Sequence, residues 1–151
     1  MFVTIGGRRQ YLWRAVDEQG DVLDILVQLR RDARAATRFF RKLLKGEGAE
    51  PRWCVTDKLR SYGAAHRLVM PSVVHDTRQY ANNRAEVSHQ PTRQRERQRR
   101  RFESPAHAQR FLSMHGIIQN RFWIGRHLLR AAHRRMLRQH AFGVWAEVTC
   151  A

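Results

Sequence analysis

Two carboxylates in the sequence stand where they could bind a metal ion. Asp57 follows the apolar run Trp53–Thr56 (WCVT), which predicts a short strand, and Glu86 lies in NNRAEVSH at the start of a predicted helix. Carboxylate oxygens are the ligands that Mg²⁺ and Mn²⁺ prefer, and two carboxylates at one site repel each other unless a cation or a proton lies between them. If the two side chains face each other, they predict a two-metal site suited to phosphodiester displacement.

Both carboxylates also have purely structural interpretations. Asp57 is placed to cap the following short helix, because an Asp side chain accepts a hydrogen bond from the N–H groups of a first turn. Asn83 and Glu86 have the spacing of a capping box, in which each side chain bonds the backbone N–H of the other residue. The residues alone leave the metal site and the caps as open alternatives.

The net charge of the chain indicates a polyanionic partner. The 151 residues include 29 Lys and Arg against 13 Asp and Glu, a net charge of +16, and 26 of the basic residues are Arg. Arg binds phosphate bidentately and stacks on bases, so nucleic acid is the expected partner. The run 93–101 (RQRERQRRR) holds six Arg and follows Glu86 on the same predicted helix, which puts positive charge where a phosphodiester backbone would lie.

The basic residues beside the two carboxylates are the predicted DNA contacts. Contacts of this kind bind phosphates and set affinity and register, not base specificity. They are Lys58, Arg84, His89, Arg93, Arg95, Arg97, Arg99, Arg100 and Arg101. His89 lies three residues after Glu86 and shares its helix face, so it could contact phosphate or metal; a solvated or locally hydrogen-bonded imidazole is the simpler alternative.

The elements that must position these residues open with three predicted antiparallel strands. Phe2–Ile5 precedes Gly6-Gly7, and the β-rich runs Gln10–Val16 and Val22–Leu29 flank the turn DEQGD, as in a hairpin. A helix follows from the cap Asp32 to a stop at Gly46.

Alternation of short strands and helices comes next. After the WCVT strand, a short helix is predicted around residues 59–68 and a short strand around residues 72–75. Helices then run from Asn83 onward, with an interruption at Pro91 and a new start at Ser104-Pro105. This order predicts an α/β protein with an RNase H-like mixed sheet and a helical C-terminal part.

Several classes of protein are excluded. No stretch approaches the roughly 20 apolar residues of a membrane span, and the first residues, MFVTIGGRRQ, do not have the pattern of a signal peptide. Cys54 and Cys150 make neither a metal knuckle nor a disulfide framework. A reducing, cytoplasmic location is the expected default.

Three long segments resemble the insertion-sequence-six family of bacterial DDE transposases. They are YLWRAVDEQGDVLDILVQLRRDARAATRFFRKLL, VTDKLRSYGAA and NNRAEVSHQPTRQRERQRRRF, and the likeness continues to the closing WAEVTC. The resemblance implies an RNase H-like core in which three acidic residues bind two divalent metals, Mg²⁺ or Mn²⁺, and carry DNA strand cleavage and transfer. It identifies Asp57 with the second acid and Glu86 with the third. It also implies transposon ends and target DNA as partners, and a homo-oligomer in the full-length form.

The chain departs from the family pattern in two places. Val87 stands where the family typically has Asn. The family's first catalytic Asp lies just ahead of the segment that matches Met1–Ile5, and a helix-turn-helix region lies further upstream. We therefore expect a catalytic core at residues 1–102 without its first acidic motif, C-terminal helices at 103–151 packed on that core, and little or no activity from a truncated or mis-started chain.

Two other functions fit the charge. A non-catalytic transposase remnant would coat DNA or perturb the full-length enzyme through mixed oligomers. A basic RNA-binding protein of ribosomal type would also be rich in Arg, but it leaves Asp57 and Glu86 beside the Arg run unexplained.

Overall fold

The computed structural model describes residues 1–98, 102–122 and 129–149, except for the side chains of Arg84 and of residues 95–98. The chain begins with three strands, β1 (Phe2–Ile5), β2 (Arg8–Val16) and β3 (Val22–Gln28). They pair in sequence order and antiparallel, as predicted. Gly6 and Gly7 make the first turn with φ of +54° and +74°, a backbone that favours glycine at both positions.

The remaining elements alternate helix and strand and then continue as helices. They are α1 (Ala33–Glu47), β4 (Trp53–Val55), α2 (Arg60–Val69), β5 (Val74–Asp76), α3 (Asn83–Gln98), α4 (Pro105–Phe122) and α5 (Ala131–Thr149). Among the described residues β4 and β5 form a separate parallel pair beside the antiparallel sheet. The element order is therefore that of the predicted α/β class and is consistent with an RNase H-like core.

Helix ends follow local capping chemistry. Asp32 caps α1 by accepting a hydrogen bond from Ala35 N at 2.8 Å, and Ser104 caps α4 by accepting one from His107 N at 3.1 Å. Both caps are as predicted. The stop of α1 is two residues later than predicted, because Gly48 takes the left-handed C-cap conformation at φ +69° while Gly46 stays inside the helix.

The antiparallel sheet is buried on both faces. On one face Trp13 packs with Phe39 of α1 and Tyr62 of α2, and the Trp13 and Tyr62 rings meet edge to face at 5.2 Å. On the other face Leu12 and Ile25 pack with residues of α4 and its approach, including Phe102, Ala108 and Leu112. Helix α4 therefore shares a core with the sheet, while the division at residue 102 stays a prediction.

Helix α4 also covers the outer edge of β3. Gln109 accepts from Val27 N at 2.8 Å and donates to Ile25 O at 2.9 Å. Asn120, three turns along, accepts from Val22 N at 2.8 Å and donates to Val22 O at 2.9 Å. These amides satisfy backbone groups that an edge strand would otherwise leave open to another chain. None of the described helices is long and apolar enough to cross a membrane.

Candidate active site

Asp57 and Glu86 line the same cleft. The cleft has a volume of about 1460 Å³ and lies among β2, α1, β4 and the first half of α3. Four Arg side chains line it with them: Arg14, Arg31, Arg52 and Arg93. The fold thus brings two carboxylates that are far apart in the sequence to one cleft. Its lining is mixed in charge, because four further acidic residues line it beside the Arg side chains: Asp17, Glu18, Glu47 and Glu50.

The Asp57 carboxylate already has a partner on each oxygen. Thr56 N donates to Asp76 O at 3.1 Å, which carries the pairing of β4 with β5 up to the residue before Asp57. Asp57 Oδ1 accepts from Leu59 N at 2.9 Å, and Oδ2 forms an ion pair with Arg31 Nη2 at 2.8 Å. The predicted cap at Asp57 is wrong, because Leu59 is the cap residue of α2 and no side chain caps the helix. The bond to Leu59 N instead closes a turn that leads into α2.

Glu86 lies in the first turn of α3 with its side chain exposed. Its N–H donates to Asn82 O at 3.2 Å, which places Asn82 at the cap position, one residue earlier than the capping box requires. The N–H of Asn83 donates instead to Tyr80 O at 3.2 Å. The capping-box interpretation is therefore wrong, because the helix starts one residue out of register with it.

His89 lines the cleft as a neutral imidazole. Burial, together with the positive charges of the Met1 amino group, Arg14 and Arg93, lowers the pKa of His89 to about 3. Its Nδ1 is buried, with no hydrogen-bond partner among the described residues. A neutral ring adds no positive charge to a phosphate-binding surface.

The other predicted DNA contacts divide into two groups. Arg93 and Lys58 are exposed, and only Arg93 of the two lines the cleft. The backbones of Arg84, Arg95 and Arg97 lie on α3, but their side chains are outside the described part of the structure, and Arg99, Arg100 and Arg101 lie outside the described residues altogether.

Two cleft residues were missed by the sequence analysis. Arg14 was visible as a charged residue inside the apolar run QYLWRAV, an exception to the strand pattern that signals a special role. Arg31 gave no such signal, because its pairing with Asp57 joins residues 26 positions apart. Cys54 also lines the cleft and is half-buried, and burial raises its pKa to about 11.

The donor atoms that the cleft offers are of the type that a divalent cation binds. Asp57 and Glu86 supply hard oxygen ligands at one cleft, and the Glu86 carboxylate is exposed to it. No group of three His, Cys, Asp or Glu side chains is close enough to hold a metal within 1–98, 102–122 and 129–149. A cation at this site would also have to compete with Arg31 for the Oδ2 atom of Asp57.

Comparison with known proteins places this chain in a family. Residues 1–123 match the family model described as the DDE domain, in its IS240 transposase form. The chain therefore belongs to the DDE transposase domain family, and the resemblance to the insertion-sequence-six transposases is confirmed at that level.

Its relatives include transposases of Staphylococcus aureus. The transposase for the insertion-sequence-like element IS431mec and the transposase for IS257 in transposon Tn4003 are each 33% identical over 93 residues, which cover 58% of this chain and 41% of each relative. An uncharacterised protein of Yersinia pseudotuberculosis is 33% identical over 72 residues, covering 46% of this chain and 67% of that protein. The chain thus spans about two fifths of the length of the transposases it matches. No solved structure matches it.

Proposed function

We propose that this chain carries part of the catalytic centre for DNA transposition, with Asp57 and Glu86 as ligands of Mg²⁺ or Mn²⁺. The observation that carries the proposal is the shared cleft: two carboxylates 29 positions apart in the sequence line one cavity, together with Arg side chains, in a DDE transposase domain. The partners are DNA, as transposon ends and as target, and further copies of the full-length chain.

Each cleft residue has a distinct part in the proposed chemistry. A bound pair of divalent cations supplies activation of a water or a 3′-hydroxyl and stabilises the leaving oxygen of a phosphodiester. The strand end fixes the backbone of Asp57, and Arg31 neutralises this carboxylate until a cation replaces it. Arg93, exposed at the cleft, is placed to bind the phosphate backbone of DNA.

The 151-residue polypeptide supplies two of the three acids that the resemblance implies. A two-carboxylate site binds divalent cations weakly and holds them with less positional control than a three-carboxylate site. We therefore expect this polypeptide to bind DNA and to show little or no strand cleavage or transfer in Mg²⁺. Efficient cleavage of transposon-end DNA by the purified polypeptide would contradict that expectation.

Titration with Mn²⁺, followed by electron paramagnetic resonance or calorimetry, tests the metal site. Asp57→Asn and Glu86→Gln keep side-chain size and remove the charge, and each is expected to weaken Mn²⁺ binding at least tenfold. Asp76→Asn is the matched control, since Asp76 also lies at a strand end, is paired with Arg78 and does not line the cleft. Equal affinities in all four proteins would reject the proposed ligands.

A non-catalytic DNA-binding remnant is the second candidate function. The observation in its favour is that both Asp57 oxygens already have protein partners, so the carboxylate is stable without a metal. This candidate predicts salt-sensitive DNA binding with no effect of Mg²⁺ on Asp57 or Glu86. The same Mn²⁺ titration separates the two candidates.

A further inference from the structure

We infer that Arg14 is a positioning residue that fixes α3 on the sheet and thereby sets where Glu86 stands in the cleft. The inference deepens the proposed function, since its consequence for metal binding rests on Glu86 being a ligand. The anchoring itself is independent of any metal and is measured separately below.

Arg14 joins β2 to α3 through two hydrogen bonds. Its Nη1 donates to Ser88 O and its Nη2 donates to Thr92 Oγ1, across sequence separations of 74 and 78 residues. Arg14 is 7% exposed and Thr92 is 0% exposed, so the bond between them is buried, while the bond to Ser88 O is partly buried. The two acceptors lie one turn apart on α3, a spacing that a guanidinium fork can bridge.

The bridge spans the weakest point of the helix. Pro91 lies inside α3, and its ring removes the N–H that would bond the carbonyl of Val87 and crowds that carbonyl. Ser88 and Thr92, the two acceptors, stand on either side of Pro91. Arg14 therefore holds together the two halves of a helix whose own hydrogen-bond ladder is broken between them.

Apolar packing cannot supply this anchor. The only aliphatic residues of α3 are Ala85 and Val87, and Val87 is 59% exposed. Most surface helices are held by an apolar stripe that faces the core. Because α3 has no such stripe, the polar junction at Arg14 is what fixes its position on β2.

Burial of Arg14 is costly in itself. The pKa of Arg14 is lowered to about 10 by burial, and its Nε is buried without a hydrogen-bond partner among the described residues. Arg14→Met removes the buried charge with its desolvation cost and keeps an unbranched side chain, and the loss of the donor to Thr92 Oγ1 costs about as much as one unsatisfied buried hydrogen-bonding group. Arg14→Met is therefore expected to fold while releasing α3, which separates positioning from stability.

Hydrogen exchange of α3 and Mn²⁺ affinity form the test, with the full 151-residue chain. In Arg14→Met, the amides of residues 85–90 and of Thr92 are expected to exchange at least tenfold faster, while those of β2 and β3 keep their protection. Mn²⁺ affinity is expected to fall about tenfold, as for supporting residues of metal sites. Arg14→Lys should restore part of both, since the ammonium keeps the positive charge and its donors but lacks the planar two-nitrogen fork that bonds both acceptors.

Two further variants keep each outcome decisive. Arg9→Met makes the same change at an exposed position of the same strand and should leave α3 exchange unchanged. Thr92→Val removes one acceptor while Arg14 stays, so it reports on the bridge even if Arg14→Met fails to fold. Unchanged α3 exchange in both Arg14→Met and Thr92→Val would overturn the inference. Unchanged Mn²⁺ affinity in Asp57→Asn and Glu86→Gln would instead overturn the proposed metal site and leave the anchoring result standing.

Discussion

At the scale of single residues, we expect Arg31 and a bound cation to compete for the Asp57 carboxylate. Arg31 holds one oxygen of this carboxylate and the Leu59 N–H holds the other. A cation that binds Asp57 must displace the guanidinium, whereas a DNA phosphate would draw the same guanidinium toward itself. Arg31 pairs with Asp57 in this structure, and we expect it to pair with phosphate when DNA is bound.

Arg31→Ala is expected to tighten Mn²⁺ binding several-fold and to weaken DNA binding, because it removes the competitor for Asp57 and one basic group of the cleft. The ion pair is about two-fifths exposed on the Arg side, so stability should change by less than about 1 kcal/mol. Mn²⁺ titration, DNA-binding isotherms and urea unfolding measure the three effects. Arg78→Ala, which breaks the Asp76 ion pair outside the cleft, is the control. Weaker Mn²⁺ binding in Arg31→Ala would contradict the competition.

His89 is expected to make the protein sensitive to acid. Its pKa is lowered to about 3 in the folded chain, against about 6.5 when unfolded. The unfolded chain therefore binds more protons below pH 6.5, and stability falls as the pH drops from about 6.5 toward 3. His89→Gln should remove about 2 kcal/mol of the difference in unfolding free energy between pH 7.5 and pH 4.5.

Urea unfolding at the two pH values measures this effect. His133→Gln, at an exposed position of α5, should keep the full pH dependence of the parent chain. If His89→Gln shows the same pH dependence as the parent, His89 is not the group responsible.

At the scale of elements, α4 stabilises the fold by completing an edge. Gln109 and Asn120 each donate to and accept from the backbone of β3, and Gly116 between them allows close approach, since a Cβ there would lie 3.2 Å from Val22 Cγ1. The helix thus bonds to the edge and packs on the sheet at once. Removing Asn120 takes away these partners of Val22 N and O, and removing Gln109 takes away the partner of Val27 N, whereas Ile25 O also accepts from Lys42 Nζ at 3.3 Å.

Gln109→Ala and Asn120→Ala are each expected to lower the free energy of unfolding by about 1–3 kcal/mol. The two sites are separated by roughly 16 Å along the helix, so the double variant should lose close to the sum. The edge it exposes should also make it prone to association, which light scattering detects. Arg110→Ala, at an exposed position of the same helix, should change stability by less than about 0.5 kcal/mol.

The sequence predicted the secondary-structure elements more accurately than the contacts between them. Strand alternation and caps are local patterns, so β1 to β3, the Asp32 cap and the Ser104-Pro105 start are confirmed. Predicted helix ends were wrong by one or two residues where two neighbouring residues could each end the helix, as at Gly46 and Gly48.

The contacts that shape the cleft join distant parts of the chain. Arg14 with Thr92 and Arg31 with Asp57 depend on how elements pack, which no local pattern encodes. The roles of Asp57 and Glu86 at a metal remain predictions, although their common cleft is a feature of the fold.

At the scale of the whole molecule, the charge of +16 makes salt the main experimental control on DNA binding. Each phosphate contact releases condensed counterions, so the logarithm of the affinity falls with the logarithm of salt concentration by about 0.9 per contact on duplex DNA. Counting contacts this way needs no knowledge of the bound DNA sequence. Comparing the salt slopes of variants also distinguishes DNA contacts made by α3 from contacts made by the rest of the surface.

Replacing Arg93, Arg95 and Arg97 by Gln is expected to lower the salt slope by about two to three units, since these residues stand on the helix that carries Glu86. Replacing Arg134, Arg135 and Arg138 on α5 removes the same charge away from the cleft and should lower it by less than about one unit. Fluorescence anisotropy with duplex DNA between 50 and 300 mM salt measures both slopes. Glu86→Gln should leave the slope unchanged and bind slightly more tightly, because it removes a negative charge that repels phosphate. Equal reductions of the salt slope in the two triple variants would mean that DNA binds over the whole surface. That result would contradict the proposal that DNA phosphates bind at the cleft.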